Sequence, residues 1–372
     1  MKNSQKYIAA AAAFGVAATL FATVPAANAE PVADGFVVVG SDTLQDVLNG
    51  LANGTTVSGA PVRVSGSGVK LSNFDAAGST LNIQAKSLGP VFGRPNGSGD
   101  GVRALSRSID GNAYTSATPG AIASVTITGQ IDLARSSSGT TENVNGPLVY
   151  MPFGRDALAY AHNSANPAFD NLDQATLKGI FEGTITEVSG TPVVPVIPQA
   201  GSGTRADWIS KIGTTEAKML EQTAAGWVKV GQEHDTRALQ NGDPMPANSI
   251  TAMSAAQWVA QNTGAGVDRR GSGFKLGSPI AGVPAVTGTG AEMVPNAEYY
   301  ANGTWGRNIY IVAEVARVTP GDAKYDARLA NLVSSQQLMN NGTLATTPGA
   351  VKRKYGFLAP STTVPFRASL RS

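Results

Sequence analysis

Three short segments of the chain place Ser or Thr beside Gly where a helix is predicted to begin. These are residues 40–44, 97–102 and 201–204. The N-terminus of a helix presents unpaired backbone N–H groups and about half a positive charge. Glycine lets a ligand approach the backbone closely, and hydroxyl groups add further hydrogen-bond donors. A turn of this kind binds an oxyanion without needing Lys or Arg.

A purely structural role is the alternative for each segment. Ser, Thr and Asp are common helix N-caps, and Gly is common in turns. Gly-Ser-Gly occurs at residues 66–68, 97–99, 201–203 and 271–273, so a single occurrence says little. Several such turns in one chain, followed by helical patterns, favour anion binding.

Most other kinds of reactive site are excluded by residue type. Without Cys, the chain forms no disulfides, Cys-ligated zinc sites or thiol nucleophiles. His162 and His234 are the only two His residues, which excludes a multi-His metal centre, and neither has a recognisable Ser partner. The sequence has no Gly-Lys dipeptide for a P-loop and no G-x-S-x-G nucleophile elbow. We therefore expect no cofactor, no metal and no catalytic residue.

Strand and helix patterns alternate around the Gly-rich turns. The apolar run at 36–39 predicts a buried strand, and apolar residues at 44, 47, 48 and 51 predict a helix after it. The same order recurs over 193–212, and residues 309–312 predict a further buried strand. This alternation predicts an α/β fold with largely parallel sheets.

The first 29 residues have the pattern of a secretory signal peptide. Lys2 and Lys6 precede an apolar, Ala-rich run, and Ala-Asn-Ala at 27–29 provides a cleavage site before Glu30. No Cys is present for lipid attachment. We predict that residues 1–29 are removed and that the protein is secreted.

Removal of that segment leaves a formally neutral chain. The full chain has 28 Lys and Arg against 26 Asp and Glu, and the segment holds two Lys and no acid, so 26 of each remain. Nucleic acids and anionic membranes attract basic surfaces, so we expect neither as a partner. No later stretch is apolar over the ~18 residues that a membrane span needs.

The order of these motifs resembles the phosphate-binding proteins of ABC importers, members of the type II periplasmic-binding superfamily. The resemblance runs from Val37 to about Phe357. Its parts are an anion loop at 39–44, a Gly-rich loop at 97–103, the segment 131–137, an L-x-x-I-F-x-G-x-I-x helix at 177–186, the Gly-Ser-Gly-Thr signature at 201–204 and Tyr-Gly-Phe at 355–357.

The resemblance implies a set of residues that bind phosphate through hydroxyl and backbone N–H groups. The set comprises Thr43 and Leu44 from the first loop, Ser98 from the second, and Ser202, Gly203 and Thr204 from the signature. Helix N-termini would converge there on a dehydrated oxyanion and replace water with fixed donors.

Two positions depart from the family pattern. The phosphate-binding Asp of the family falls on Ser137, and its Arg falls on Pro198. Arg135 and Arg205 lie nearby in sequence and either compensate for these losses or are solvated surface residues. We add Ser137, Arg135 and Arg205 to the candidate ligand-binding residues.

The resemblance also implies an architecture. We expect an α/β, two-lobed fold like that of type II periplasmic-binding proteins, with a hinge and an inter-lobe cleft. Residues 149–158 and 308–315 are the best candidates for the segments that cross between lobes. Lobe one is therefore predicted to comprise residues 31–150 and 308–372, and lobe two residues 151–307.

The function implied is capture of phosphate, or a similar oxyanion, by a secreted monomer that serves an ABC importer. No bond is made or broken in that function. A secreted phosphatase-like hydrolase that uses a Ser nucleophile on the same turns is one alternative. A ligand-free extracellular scaffold is another, which the missing lipid-anchor Cys favours slightly.

Overall fold

The computed structural model describes residues 32–78 and 80–372, so the predicted signal peptide lies outside the described residues. From Val32 to Ser372 the chain forms one compact unit. In chain order its strands are β1 (Phe36–Gly40), β2 (Thr55–Val57), β3 (Ala60–Val62), β4 (Leu71–Asn73), β5 (Asn82–Gln84), β6 (Val91–Gly93), β7 (Ala113–Tyr114), β8 (Val125–Thr126), β9 (Leu133–Ser136), β10 (Leu148–His162), β11 (Glu187–Val188), β12 (Thr191–Pro192), β13 (Val194–Pro198), β14 (Lys229–Gly231), β15 (Ser249–Ser254), β16 (Lys275–Gly277), β17 (Val286–Thr287), β18 (Val294–Pro295), β19 (Gly306–Glu314) and β20 (Phe366–Ala368).

The helices of the same residues are mostly short. They are α1 (Gln45–Asn53), α2 (Ser98–Asp110), α3 (Gln174–Phe181), α4 (Gly203–Ile212), α5 (Glu216–Ala224), α6 (Ala255–Thr263), α7 (Ala297–Ala301), α8 (Val315–Val318), α9 (Ala327–Leu332) and α10 (Pro348–Lys354). Single 3-10 turns span Asp42–Leu44, Pro167–Asp170 and Gly290–Glu292. None of the described helices is long and apolar enough to span a bilayer.

The strand and helix patterns of the sequence are confirmed where they were strongest. The apolar run at 36–39 forms β1, which is buried along its whole length. The pattern after Gly203 forms α4, and Gly213 ends it in the left-handed conformation with φ +77°. Glycine tolerates that conformation because it has no Cβ.

One large mixed sheet joins the strands that matter for the site. Its strand order is β14-β13-β15-β10-β19-β9-β1-β4, with β16 and β20 also paired to β10. β1 runs parallel to β4 and β9, and β13 runs parallel to β14 and β15. Since the carboxyl ends of parallel strands meet at one edge, the turns that follow β1 and β9 lie close together.

The expectation of largely parallel sheets is wrong at the centre of this sheet. The long strands β10 and β19 pair antiparallel from Leu148↔Glu314 to Ala157↔Gly306. β19 is also antiparallel to β9, and β10 to β15. Parallel pairing is therefore confined to the two outer parts of the sheet. The long strand β10 pairs with strands on both sides of the centre.

Two separate groups of buried side chains flank the antiparallel centre. Met151 and Phe153 of β10 pack with the core around β1 and α1. Leu158 and Tyr160, further along the same strand, pack with the core around β13 and α4. The predicted lobe boundaries, at residues 150–151 and 307–308, remain a prediction.

Candidate oxyanion-binding site

The first predicted anion loop follows the end of β1. Gly40 has φ +111°, and a Cβ at this position would lie 3.1 Å from the Cα of Gly101, so the start of α2 packs directly on the turn. Thr43, in the 3-10 turn that follows, is buried. Its hydroxyl lies 3.4 Å from the hydroxyl of Thr204, which is distant in sequence.

The second predicted loop places Ser98 at the first residue of α2. Its Oγ lies 3.0 Å from the Oγ of Ser137, which directly follows β9. The backbone N–H of Ser137 donates to the same Ser98 oxygen at 2.9 Å. Both side chains are buried. The start of α2 and the turn that ends β9 therefore place two buried hydroxyl groups side by side.

Gly203 brings the start of α4 against these hydroxyls. A Cβ at Gly203 would lie 2.5 Å from Ser137 Oγ and closer still to Ser98 Oγ. The preceding residue, Ser202, is the N-cap, and its Oγ accepts the Arg205 backbone N–H at 3.0 Å. Only glycine fits at the first position of α4 without displacing both hydroxyls.

We call Thr43, Ser98, Ser137 and Thr204 the hydroxyl cluster. Its members come from four separate chain segments, and each is at most 1% exposed. Three of these segments lead into helices α1, α2 and α4. The arrangement concentrates neutral hydrogen-bond donors and positive helix ends in one buried place, which stabilises a negative charge.

A buried arginine adjoins the hydroxyl cluster. Arg307 Nη2 donates to Thr204 Oγ1 at 3.0 Å and lies 3.4 Å from Thr43 Oγ1. The guanidinium is held by Asp156 through Nε at 3.0 Å and Nη2 at 2.9 Å, and by Asp207 through Nη1 at 3.0 Å. Burial lowers the pKa of Arg307, but these two carboxylates outweigh it and raise the pKa overall. The residue is thus a fixed cation.

Glu233 and His234 approach the hydroxyl cluster from the loop after β14. Thr43 Oγ1 donates to Glu233 Oε1 at 3.1 Å and lies 3.0 Å from His234 Nε2. Burial raises the pKa of Glu233, but its hydrogen bonds, above all the one with His234, outweigh burial, and the pKa falls to about 2. The nearby hydroxyls of Thr204 and Ser202 lower that pKa further. Glu233 is therefore ionised at neutral pH.

The tautomer of His234 follows from its second ring nitrogen. The backbone N–H of Ser254 points to His234 Nδ1 at 3.4 Å, so Nδ1 is an acceptor. In a neutral imidazole the hydrogen then lies on Nε2. Nε2 lies 3.0 Å from Thr43 Oγ1 and 3.2 Å from Glu233 Oε1, and with its hydrogen in place it has no lone pair with which to take the threonine proton.

Several buried oxygens around Thr43 have no hydrogen-bond partner among the described residues. They are Ser41 Oγ, Asp42 Oδ1, Glu233 Oε2 and Gln257 Oε1. Burial raises the pKa of Asp42 to about 7, although the charge of Arg269 opposes the shift. Unpaired buried oxygens are costly, so this part of the site has unused capacity to accept hydrogen bonds.

The guanidinium groups of the two arginines suggested by the sequence form their hydrogen bonds outside the hydroxyl cluster. Arg135 donates to the carbonyls of Gly40, Ser41 and Phe74 at 2.8–2.9 Å, and burial lowers its pKa to about 10. Arg205 pairs with Glu216 at 2.6 Å and with the Pro198 carbonyl at 3.0 Å. The geometry gives Arg135 a role in fixing the anion loop and Arg205 a role in fixing the base of α4.

The remaining sequence-predicted residues contribute through the backbone or by capping. The Leu44 side chain packs in the core beside β1, so only its backbone could face a ligand. Ser202 caps α4 and lies beside Glu233. Their predicted role as ligand-binding residues remains a prediction.

Sequence reasoning missed Arg307, Asp156 and Glu233. Arg307 lies two residues before the predicted strand at 309–312, and Glu233 lies in a polar run beside His234. Their hydrogen bonds to Thr43 span 264 and 190 positions of the chain. The weak local signal at Arg307 was a charged residue just before an apolar run, and Glu233 had no local signal of its own.

Comparison with known proteins identifies a family. The sequence profile of the PBP superfamily domain matches residues 25–305. No curated protein sequence matches the chain. The family match confirms the superfamily inferred from the motifs and its α/β class.

Solved structures with remote similarity include binding proteins of several organisms. One, described as a phosphate ABC transporter substrate-binding protein with bound phosphate from Clostridium perfringens, is 13% identical, with 88% of this chain and 99% of that chain covered and a TM-score of 0.49. An ABC-type phosphate transport receptor from Vibrio cholerae is 17% identical, with 87% and 100% covered and a TM-score of 0.47. A human phosphate-binding apolipoprotein is 15% identical, with 88% and 91% covered and a TM-score of 0.48.

Proposed function

The chain belongs to the PBP superfamily, and from this premise we propose that it is a secreted solute-binding protein for phosphate or a similar oxyanion. The protein captures the anion in the cleft between two lobes and delivers it to an ABC importer. It makes and breaks no bond. Thr43, Ser98, Ser137 and Thr204 are the hydroxyl donors, and Gly203 allows the backbone to approach the anion.

One observation carries this proposal. Three chain segments that lead into helices converge on the buried hydroxyl cluster, and the fixed cation Arg307 lies within hydrogen-bond distance of two of its members. Helix N-termini and hydroxyls recognise oxyanions in a dry site, where fixed dipoles act more strongly than water does. In this proposal Arg307 supplies the positive charge that the sequence had suggested for Arg135 and Arg205.

Closure of the lobes supplies the binding step. Thr43, Ser98 and Ser137 belong to predicted lobe one, whereas Gly203 and Thr204 belong to predicted lobe two. The Gly99 backbone N–H donates to the Gly201 carbonyl at 2.9 Å, so the Gly-rich turns of the two lobes meet. Bending at β10 and β19 would separate these turns and admit an anion, and closure would bury it.

Titration calorimetry on the mature chain, residues 30–372, tests the proposal. We expect saturable binding of phosphate with one site per chain and no turnover of a chromogenic phosphate ester. Absence of binding to phosphate, sulfate and arsenate would contradict the proposal and favour the ligand-free scaffold.

The hydrolase alternative was predicted with a Ser nucleophile, but the hydroxyl within hydrogen-bond distance of His234 is that of Thr43. His234 Nε2 lies 3.0 Å from the Thr43 hydroxyl, a distance suited to a base and its nucleophile. The Ser254 N–H at Nδ1 opposes it, because it assigns the hydrogen to Nε2. Hydrolysis of the chromogenic ester that is lost in Thr43→Val would restore this alternative.

Export is part of the proposal. The mature chain is proposed to begin at Glu30. Intact mass of protein recovered from culture medium tests this, and retention of residues 1–29 would contradict it.

A further inference from the structure

The loop that carries Glu233 is fixed to chain segments on both sides of the site. The Glu233 backbone N–H donates to Gln199 Oε1 at 2.7 Å, on the segment that leads into α4. The preceding residue, Gln232, accepts from Asn96 Nδ2 at 3.0 Å, on the segment that leads into α2. The following residue, His234, has φ +59°, which is uncommon for a residue with a side chain. The loop thus holds the Glu233 carboxylate in a defined place.

The Glu233 carboxylate takes the hydrogen of the Thr43 hydroxyl. A hydroxyl group has one hydrogen to donate. His234 Nε2, which carries a hydrogen, lies 3.0 Å from Thr43 Oγ1 and 3.2 Å from Glu233 Oε1, and the Arg307 guanidinium 3.4 Å from Thr43 Oγ1 is a donor only. Their approach leaves the hydroxyl hydrogen for Glu233 Oε1 at 3.1 Å. An oxyanion bound at Thr43 would need that same hydrogen.

The second oxygen of the Glu233 carboxylate adds to its competition with an oxyanion. Glu233 is 0% exposed, and its Oε2 has no hydrogen-bond partner among the described residues. Because Glu233 is ionised, a full negative charge is held beside the hydroxyl cluster, close to the hydroxyls of Ser202 and Thr204. Like charges placed side by side repel, so this carboxylate also opposes an incoming anion.

We infer that Glu233 is a resident carboxylate that competes with the oxyanion for the Thr43 hydroxyl. An oxyanion binds only after it displaces Glu233 from this hydrogen bond, so Glu233 weakens binding and sets the affinity of the site. The inference rests on the proposed function, since it concerns the ligand of the same site.

Phosphate titration of Glu233 variants tests the inference. Glu233→Ala removes the competitor, and Glu233→Gln keeps the side-chain size and removes the charge, which covers the case in which Ala fails to fold. We expect phosphate Kd to fall by about tenfold or more in Glu233→Ala, and by less in Glu233→Gln, which still accepts a hydrogen bond. Glu216→Ala is the matched control, because Glu216 pairs with Arg205 near α4 without contact to the hydroxyl cluster.

Unchanged or weaker phosphate binding in both Glu233 variants would overturn the inference. Weaker binding would identify Glu233 as an acceptor for a protonated oxyanion. Hydrogen exchange without phosphate provides a second readout, and we expect faster exchange at residues 41–45, around the Thr43 hydroxyl, in Glu233→Ala but not in Glu216→Ala.

Hydrogen exchange without phosphate distinguishes failure of the Glu233 inference from failure of the proposed phosphate-binding function. If neither the wild type nor the variants bind phosphate, the proposed function fails. Faster exchange in Glu233→Ala would then still support the Glu233–Thr43 contact, and unchanged exchange would overturn the inference as well.

Discussion

Gly203 is a residue at which chain segments from the two sides of the site lie in close contact. A Cβ there would lie 2.5 Å from Ser137 Oγ and closer to Ser98 Oγ. The branched side chain of Gly203→Val should therefore hold α4 away from the hydroxyl cluster. We expect loss of the rise in Tm that phosphate causes, with a small change in the Tm measured without phosphate.

The control for this substitution is Gly303→Val. A Cβ at Gly303 would meet nothing within 4 Å, so this variant should keep the full phosphate response. An equal rise in Tm for Gly203→Val and the wild type would place the anion elsewhere.

Substitution of Arg307 and substitution of Arg205 should have different effects on stability and on phosphate binding. Arg307→Gln leaves Asp156 as a buried carboxylate without its cation, which should destabilise the fold by about 3–5 kcal/mol. Arg205→Gln breaks a pair with Glu216, whose side chain is 53% exposed, and should cost about 1 kcal/mol or less. Urea unfolding measures both costs, and phosphate titration should show weaker binding in Arg307→Gln alone. Weaker binding in Arg205→Gln alone would return the cationic role to Arg205.

Asp42 should make stability fall as pH rises. Burial raises its pKa to about 7, whereas an unfolded Asp titrates near ~3.9. Between these values the native state keeps a proton that the unfolded state releases, so the free energy of unfolding decreases with increasing pH. Asp42→Asn should remove roughly 1–3 kcal/mol of that decrease between pH 4 and 7.

Urea unfolding at several pH values checks this prediction. Asp34→Asn is the control, because Asp34 is exposed and its bond to Lys70 lowers its pKa instead. Identical pH profiles for Asp42→Asn and the wild type would show that Asp42 is ionised throughout this range.

At the scale of elements, the start of α4 links helix stability to the site. Ser202 caps α4 through its Oγ at 3.0 Å from the Arg205 N–H, and Asp173 caps α3 in the same way at 2.8 Å from the Thr176 N–H. Removing either cap with Ala should cost about 1 kcal/mol. We expect Ser202→Ala to weaken phosphate binding and Asp173→Ala to leave it unchanged, as measured by titration. Equal binding in both variants would make Ser202 a cap and nothing more.

The elements themselves were the most predictable part of the molecule. The buried strand β1 and the turn and helix after it follow from local sequence, because a continuous apolar run, a Gly-rich turn and a 3.6-residue period are adjacent in the chain. The antiparallel centre was not predictable in this way. Pairing of β10 with β19 joins Leu148 to Glu314, and no local pattern encodes the direction of a distant strand.

At the scale of the whole molecule, the hydrogen-bond donors of the site are encoded by local sequence, whereas its charged groups are not. Thr43, Ser98 and Gly203 lie in turns that carry their own sequence signal. Arg307 and Glu233 join them only through long-range folding, and their residue types are common at surfaces. The sequence therefore predicts the hydroxyl cluster, whereas the cation and the carboxylate beside it emerge from the tertiary structure.

The central claim is that an oxyanion binds at the hydroxyl cluster, and anomalous diffraction from crystals grown with arsenate tests it most directly. Arsenate shares the shape and charge of phosphate, and arsenic scatters anomalously. We predict one strong anomalous peak, with arsenate oxygens in hydrogen-bond distance of Thr43, Ser98 and Thr204. A peak remote from these residues, or none at saturating arsenate, would contradict the account.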